Sequence, residues 1–497
     1  METARRTPKI GTIIRHPLTE DILLFFGVLA SRLPFCGRDF GVEPDAYRIV
    51  LAARHFAATG ELICIRSPCH PVPVLTYGAV CPISCTVFNT VTALLSAMAA
   101  VAFSRALKSL GVKSGALAAA AVALSPLVYI NSASAMDYIW ALSFAALSVF
   151  GAVAERPLLS GIALGIAAGC RLEYGVIALP LLLYLTVTTA RERRLAAMFR
   201  WILGMGATTV AVFLPVLEKY DIGFIFGRFK TAATEKEMKE LRFLIKIIDQ
   251  AVFQPFGGIG AAILLILLVF VVAQLALSKD ARGRFRALSP KKLGWLLMCL
   301  TATALFLVGY LRAPYKAGYF LPAVPFVIGF FAVVLNETRP GRIAAVAGFS
   351  GMLLSPFLIY ISLGTAPGTF QHRWYLTDDD RLPLYLGTTG PVFQKQQERG
   401  REQHRFYATM EDIIALSRQS NRETVIVAGA MTPRLKIEWA PQIGDHVRLV
   451  ELIKRQSDLD AMRRSRTVIY YLPSVDAYNK YSYNIDLKRY GRPLTPR

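Results

Sequence analysis

Long apolar runs recur through the first three quarters of this chain and constrain its fold more than any other feature. Runs such as 87–106, 201–217 and 258–277 approach the roughly 20 residues that a helix needs to cross a bilayer. Hydrophobic residues (AVILMFWYC) make up 54% of the 497 residues and charged residues 18%, with a mean hydropathy of +0.43. Soluble domains are about one quarter charged. We therefore predict a polytopic membrane protein, which excludes the disordered, collagen-like and small disulfide-scaffold classes.

The spacing of the apolar runs predicts a mainly α, polytopic transmembrane helical bundle. The first run, 22–33, lacks a small-residue cleavage site, so we expect a span rather than a signal peptide. The stretch 157–185 is too long for one span and carries Arg171 and Glu173 in its middle, so we expect two short helices that enter and leave on the same side. The predicted single spans are 21–36, 87–106, 116–130, 139–153, 201–217, 258–277, 293–311, 319–335 and 343–363.

Basic residues outnumber acidic residues by 56 to 34, which gives a formal net charge of +22. The positive-inside rule then places the N-terminus and the basic cluster 191–200 on the inner side. Nucleic acid is not an expected partner, because the basic residues are scattered among apolar spans. Two outer loops, 218–256 and the short loop before Tyr319, keep positive charge against this rule. We expect an anion to bind there.

The C-terminal quarter differs in kind, because it is polar and its apolar runs are short. Runs 424–428, 447–452 and 467–472 are typical of strands, and 411–418 and 458–465 of helices. This alternation predicts a small α/β domain with some parallel pairing. We therefore divide the chain into a transmembrane domain, 1–363, with a first outer loop at about 37–75, and a periplasmic α/β domain, 364–497.

Seven cysteines are present, and five of them lie between residues 36 and 85. No pair has the context of a metal knuckle. Because the first outer loop faces a compartment where disulfides form, a bridge such as Cys64–Cys69 is permitted there.

The first outer loop concentrates carboxylates directly after a predicted span. It carries Asp39, Glu43 and Asp45, and the residues after Asp45 have the spacing of an amphipathic helix that lies at the membrane surface. Asp45 has two interpretations of equal weight. It is a helix cap, favoured by the preceding proline, or it is a general base that a rigid helix orients at the water–lipid boundary, with Glu43 beside it.

Asp137 lies at the predicted outer mouth between two spans, in the sequence NSASAMDY. The simpler interpretation is a helix cap with its charge among the headgroups. The catalytic interpretation of Asp137 is supported by the first outer loop, whose carboxylates face the same compartment. Two carboxylates at one boundary are able to hold a metal or orient an acceptor hydroxyl. Neither spacing is a metal motif, so a divalent metal stays an open possibility and no cofactor is certain.

A third element, RAPYKAGYFLPAVPF, places basic and tyrosine side chains at the outer end of two spans. They form either an interfacial belt of tyrosine, lysine and arginine or a site for the phosphate of a lipid. Arg32, at the end of the first span, is able to add to this site. The candidate phosphate-binding residues are Arg312, Tyr315, Lys316 and Tyr319, with Arg66 and His70 from IRSPCHP.

Familiar nucleotide and hydrolase motifs are absent from the sequence. There is no Walker loop, no GxGxxG opening a helix, no HExxH and no GxSxG. The glycines of GIALGIAAG lie in an apolar run, where small residues favour close helix packing. Any chemistry therefore requires an activated substrate, which in this setting we expect to be linked to a lipid.

The order of these features resembles the GT-C superfamily of integral-membrane glycosyltransferases. EPDAYR after a first span, a loop ending RSPCHP, the MDY mouth, GIALGIAAGCRLEY and PYKAGYFLPAVPF cover roughly residues 15–365. Protein O-mannosyltransferases and aminoarabinose transferases are members. The resemblance implies inverting transfer from a polyprenyl-phosphate sugar on the periplasmic or luminal side. Asp45 matches the aspartate that acts as base or orients the acceptor, and Lys316 and Tyr319 match the segment at the phosphate. The usual adjacent acidic pair is replaced by Glu43–Pro44–Asp45.

The leading hypothesis is thus a glycosyltransferase of a bacterial inner membrane. Its expected partners are a polyprenyl-phosphate-linked sugar, membrane lipid, and an envelope glycan, lipid or protein acceptor. A transporter or flippase of lipid-linked glycans is the first alternative, for which Arg171 and Glu173 are the only ionisable residues near mid-span. A non-catalytic envelope-assembly scaffold is the second, and it would tolerate loss of Asp45.

Overall fold

A computed structural model of the chain is mainly helical and carries two small sheets near its C-terminal end. Within the described residues, five helices are long and apolar enough to cross a membrane: Cys85–Ser109, Arg191–Leu217, Asp249–Leu277, Pro290–Leu311 and Ala317–Asn336. The residues described are 17–41, 43–64, 69–80, 84–222, 245, 247–312, 317–363, 372–375, 383–419, 422–438, 442–472 and 486–494.

The first half of the chain forms one helical body. Its helices are α1 Pro17–Cys36, α2 Pro44–Thr59, α3 Pro71–Val80, α4 Cys85–Ser109, α5 Gly115–Ala123, α6 Pro126–Asn131, α7 Asp137–Val153, α8 Pro157–Cys170, α9 Ala178–Thr188 and α10 Arg191–Leu217. A 3-10 turn, Leu172–Ile177, joins α8 to α9. The stretch 157–185 is therefore two short helices, as predicted. The span predicted at 116–130 is broken between α5 and α6, because Pro126 starts a new helix that cannot continue the hydrogen bonding of α5.

The remaining helices of this body pack against the first set. They are α11 Gln254–Leu277, which follows a π-helical turn Asp249–Phe253, then α12 Lys279–Arg286, α13 Pro290–Arg312, α14 Val324–Asn336 and α15 Arg339–Met352. A 3-10 turn, Ala317–Ala323, precedes α14. The predicted span 343–363 is wrong, because α15 ends at Met352 and residues 358–363 form a strand that pairs with later residues.

Glycines at every fourth position of α8 allow it to contact α10 almost backbone to backbone. A Cβ atom built at Gly161 would lie 2.1 Å from the Trp201 carbonyl oxygen, and one at Gly165 would lie 2.8 Å from Thr208 Cβ. Residues four apart share one face of a helix. The small-residue run of the sequence is thus a packing stripe, as predicted, and it fixes the helix that directly precedes Arg171.

Two sheets lie in the C-terminal part. An antiparallel sheet has the order β1–β3–β2, from β1 Leu358–Leu363, β2 His372–Tyr375 and β3 Pro383–Thr389. Helix α16, Pro391–Gln419, follows it. A second sheet has the order β5–β4–β6–β7, with parallel pairing, from β4 Thr424–Val427, β5 Val447–Val450, β6 Val468–Tyr471 and β7 Arg492–Pro493.

Helices α17 Thr432–Glu438 and α18 Gln456–Arg464 connect the strands β4, β5 and β6. The three predicted strands and the predicted parallel pairing are confirmed. The predicted helix 411–418 is only the end of the longer α16, whose polar first half gave no apolar signal. Val425, Ile426, Leu459 and Ile469 form the centre of a separate hydrophobic core for this part.

The parallel sheet packs against the first loop through α17 and α2. Arg54 of α2 donates a hydrogen bond to the carbonyl oxygen of Ile437 at 3.0 Å. Arg434 lies 5.4 Å from the ring centre of Tyr47 and within 3.4 Å of Glu438. Burial raises the pKa of the Glu438 carboxyl and of the Tyr47 hydroxyl. The contact between the two parts is therefore polar and carries several charges.

Candidate functional site

A buried cluster of charges joins three separate segments of the chain. Arg171 Nη1 donates to Asp137 Oδ1 at 2.7 Å, and Arg171 Nη2 lies 3.1 Å from Glu173 Oε1. His70 Nε2 lies 3.5 Å from the other oxygen of Asp137. The Asp137 side chain has no exposed surface, and the Arg171 and His70 side chains are each 4% exposed. The cluster is thus closed off from solvent at Asp137 and opens toward Glu173.

Helix ends and aromatic rings hold these side chains in place. Asp137 is the first residue of α7, where the helix dipole favours a carboxylate. Arg171 follows the last residue of α8, and its guanidinium carbon lies 3.9 Å from the Tyr138 ring centre and 5.7 Å from that of Tyr319. A Cβ at Gly318 would lie 2.7 Å from Tyr138 Cζ, so only glycine allows the later segment to come this close.

The structure contradicts the interpretation of Asp45 and Asp137 as helix caps. The cap of α2 is Glu43, whose side chain makes no capping bond, and Pro44 puts Asp45 one residue further in. Asp137 is also not a cap, since Met136 precedes it in that position, and its charge is buried rather than placed among headgroups. Both acids instead form ion pairs with arginine.

Asp45 is held by Arg48, which also reaches the C-terminal part. Arg48 Nη1 lies 2.8 Å from Asp45 Oδ1, and its Nη2 contacts Glu451 Oε1. The Asp45 side chain keeps 15% of its surface exposed. Arg48 and His70 line the same small cleft, of about 20 Å³. This cleft lies between the ion pairs of Asp45 and Asp137, and Glu43 lies within electrostatic range of Tyr138 beside Asp137.

The Cys64–Cys69 disulfide is present and forms one wall of this cleft. Cys69 is directly followed by His70, and the Cys64 amide donates to the Tyr220 hydroxyl at 3.2 Å. The bridge therefore ties Cys64 to the residue that directly precedes a member of the charge cluster. A crosslink over five residues restricts the backbone of the unfolded chain.

An apolar cavity begins beside the charge cluster. Tyr174 lines it, and the Tyr174 amide bonds to the Arg171 carbonyl while its hydroxyl donates to the Tyr138 carbonyl at 3.2 Å. The cavity is small, about 20 Å³, and an adjoining cavity of the same size shares four of its lining residues. Those four residues are Phe103, Leu142, Ala146 and Pro325. Charged and apolar surfaces therefore meet at Tyr174.

The structure separates Arg32 from this site. Its side chain is fully buried between α1, α5 and α6 and donates to Ser132 Oγ at 3.0 Å and to the carbonyl oxygens of Val28 and Ala123. It also stacks over Tyr129, with 4.4 Å between the guanidinium carbon and the ring centre. Arg32 thus joins three helices and does not contribute to an anion site, contrary to the expectation from its position.

Several predicted phosphate-binding residues lie outside the described residues. Arg66, Tyr315 and Lys316 are among them, and Arg312 is described only as the last residue of α13. Of the predicted group, the structure therefore places His70 against Asp137 and Tyr319 near Arg171.

The described residues offer no built site for a divalent metal. In the ranges that the structure covers, no three His, Cys, Asp or Glu residues come together as a metal-binding group. Asp137 is also already occupied by a guanidinium and an imidazole.

Sequence reasoning named Glu173 only as an ionisable residue near mid-span. The structure pairs it with Arg171, and its Oε2 is buried without a hydrogen-bond partner among the described residues. The contacts that sequence reasoning missed join remote parts of the chain: Arg48–Glu451 and the buried pair Asp39–Arg399. Arg48 lies one helical turn after Asp45, a spacing that signals an ion pair. Nothing in a single sequence signals the contact with Glu451.

A scan against protein-family models finds no match for this chain, and a search of curated proteins finds no matching sequence.

Proposed function

We propose that this protein is an integral-membrane glycosyltransferase that moves a sugar from a polyprenyl phosphate to a hydroxyl acceptor at the membrane surface. One observation carries the proposal: a charged cluster with aromatic walls lies directly beside an apolar cavity, through Tyr174. A lipid-linked sugar needs that combination, because its reacting carbon is polar while its tail is apolar. The proposed setting is the periplasmic side of a bacterial inner membrane.

The carboxylates differ in exposure, and this assigns their roles. Asp137 has no exposed surface and is bonded by Arg171 with His70 beside it, so it holds those two side chains in place. Asp45 keeps 15% exposure at the rim of the cleft, which suits a group that must touch an acceptor. Glu43 stands beside it. The unsatisfied Oε2 of Glu173 is suited to accept a hydrogen bond from a sugar hydroxyl.

The reaction follows from these roles. The acceptor oxygen attacks the anomeric carbon and forms the new C–O bond, while its proton passes to the Asp45 carboxylate. The bond from that carbon to the lipid phosphate oxygen breaks, and its electron pair leaves with the phosphate. Tyr319 lies at the cluster, and Arg312, Tyr315, Lys316 and Arg66 remain the proposed phosphate ligands. Fixed cations are effective there because they need no reorganisation as the charge develops.

The test is sugar transfer by the purified full-length protein in liposomes, with labelled polyprenyl-phosphate sugars and envelope acceptors. Asp45→Asn should lower transfer at least 100-fold, the usual contribution of a general base. Asp280→Asn, at an exposed ion pair 3.0 Å from Arg284, is the matched control and should act like wild type. Transfer by Asp45→Asn at the wild-type rate would show that Asp45 is not the base. If wild type transfers no sugar from any of the donors, the proposal that the protein is a glycosyltransferase is refuted.

A transporter of lipid-linked glycans is the second candidate, because ionisable residues buried between apolar helices often mark a translocation path. Arg171 and Asp137 meet that description. Transfer of labelled lipid-linked sugar between leaflets without any sugar transfer would favour it over the enzyme.

A further inference from the structure

Arg48 of α2 bonds a catalytic candidate and the C-terminal part at once. Its Nη1 lies 2.8 Å from Asp45 Oδ1, and its Nη2 contacts Glu451 Oε1, just past the end of β5. Asp45 and Glu451 are 406 positions apart in the chain. The guanidinium is planar, so fixing one end of its fork fixes the direction of the other.

The local pair alone is a weak constraint on Asp45. Charge pairs three residues apart on a helix contribute little, which leaves several rotamers of comparable energy. The Arg48 side chain is 22% exposed and so is not held by packing alone. A second anchor on Arg48 from another element restricts the orientation of the guanidinium, and with it the carboxylate that it bonds.

The C-terminal part supplies that anchor at a defined place. Arg399 of α16 pairs with Asp39 of the first loop, and both side chains are at most 5% exposed. Arg54 bonds the Ile437 carbonyl at 3.0 Å. These two contacts hold the C-terminal part against the first loop and α2. Glu451, which directly follows β5, is thereby kept within reach of Arg48.

We propose that Glu451 is a positioning residue, which orients the Asp45 carboxylate through Arg48, so that the C-terminal domain completes the site in the membrane part. The inference rests on the proposed function, in which Asp45 takes the proton of the acceptor hydroxyl. Glu451 itself touches neither substrate. Its effect is on the turnover step, since misplacement of a reacting group by about 1 Å costs up to 100-fold in rate.

The experiment compares kcat and KM for sugar transfer by the full-length protein in liposomes. Glu451→Gln should lower kcat about 10- to 100-fold and leave the donor KM unchanged. Arg48→Lys should do the same, because one ammonium does not bridge both carboxylates with a fixed fork. The double variant should be no worse than either single variant, which is the signature of two residues in one chain of contacts.

Glu438→Gln is the matched control, because it changes a glutamate in the same interface that pairs with Arg434 and does not touch Arg48. An equal fall in kcat for Glu438→Gln and Glu451→Gln would overturn the inference. It would mean that any change at the contact between the two parts lowers turnover, whether or not it touches Arg48. Wild-type kcat in Glu451→Gln, with Asp45→Asn inactive, would overturn the inference and leave the proposed function standing. Full activity of Asp45→Asn would overturn both.

Discussion

Replacing one member of the Asp137–Arg171 pair should destabilise the protein far more than replacing both. The two charges are 2.7 Å apart and at most 4% exposed. At an effective dielectric constant near 20 their attraction is about 6 kcal/mol. Removing both from water costs several kcal/mol per ion, so the net contribution of the intact pair is small. A single replacement leaves the other charge buried without compensation.

We expect Asp137→Asn and Arg171→Met each to lower the free energy of unfolding by about 3–5 kcal/mol. The double variant should lie within about 2 kcal/mol of wild type, because neither buried charge is left alone. The assay is denaturant unfolding of the purified protein in detergent micelles, followed by tryptophan fluorescence. Glu173 remains in all variants and offsets part of the Arg171 charge when Asp137 is neutral.

The exposed pair Asp280–Arg284 provides the control for this cycle. Its side chains are 72% and 54% exposed, so Asp280→Asn should change stability by less than about 1 kcal/mol. The reasoning is refuted if Asp137→Asn costs no more than this control. It is also refuted if the losses of the two single variants simply add in the double variant, since additivity would mean that the two charges do not compensate each other.

Three further outcomes are expected. Gly161→Ala should lower stability by about 1–3 kcal/mol through overpacking against α10, while Gly206→Ala, with open space around it, should not; equal effects would contradict the packing stripe. Burial raises the pKa of the Glu438 carboxyl, so the native protein is most stable while Glu438 is protonated, below its unfolded pKa of 4.5. This stability is lost as the pH rises through the native pKa. Glu438→Gln should therefore have a higher melting temperature than wild type at pH 8 and the same melting temperature at pH 4. The Cys64→Ser/Cys69→Ser variant should lose about 2 kcal/mol and should not respond to reductant; a response equal to that of wild type would exclude the bridge.

The local pattern of apolar and polar residues was enough to predict the helices and strands that are formed by one uninterrupted stretch of that pattern. The apolar face of α2 was readable from its spacing, and Ile49, Val50 and Ala53 are indeed buried. The strands of the parallel sheet were readable as short apolar runs between polar helices. Residues 358–363 were misassigned because an apolar run next to a helix looks the same whether it continues that helix or pairs as a strand.

The candidate site was predictable as a set of residue types but not as a set of contacts. Asp137 and Arg171 are 34 positions apart, and their meeting depends on how closely α7 and α8 pack. The single sequence carries no measure of that packing. The same holds for Arg48 and Glu451, which are separated by 403 positions. Residues that act through remote partners therefore stayed hidden, while carboxylates near apolar boundaries did not.

The length of α8 bears on the depth of the charge cluster. Its 14 residues extend about 21 Å, against a hydrocarbon thickness of about 30 Å. A helix of this length does not cross a bilayer of that thickness by itself, whereas the 27 residues of α10 extend about 40 Å. The glycine stripe holds α8 against α10, and a Cβ at Gly169 would lie 2.3 Å from Val212 Cγ1. The charge cluster that follows α8 is therefore held level with the last turns of the longer helix, at a depth that α10 sets.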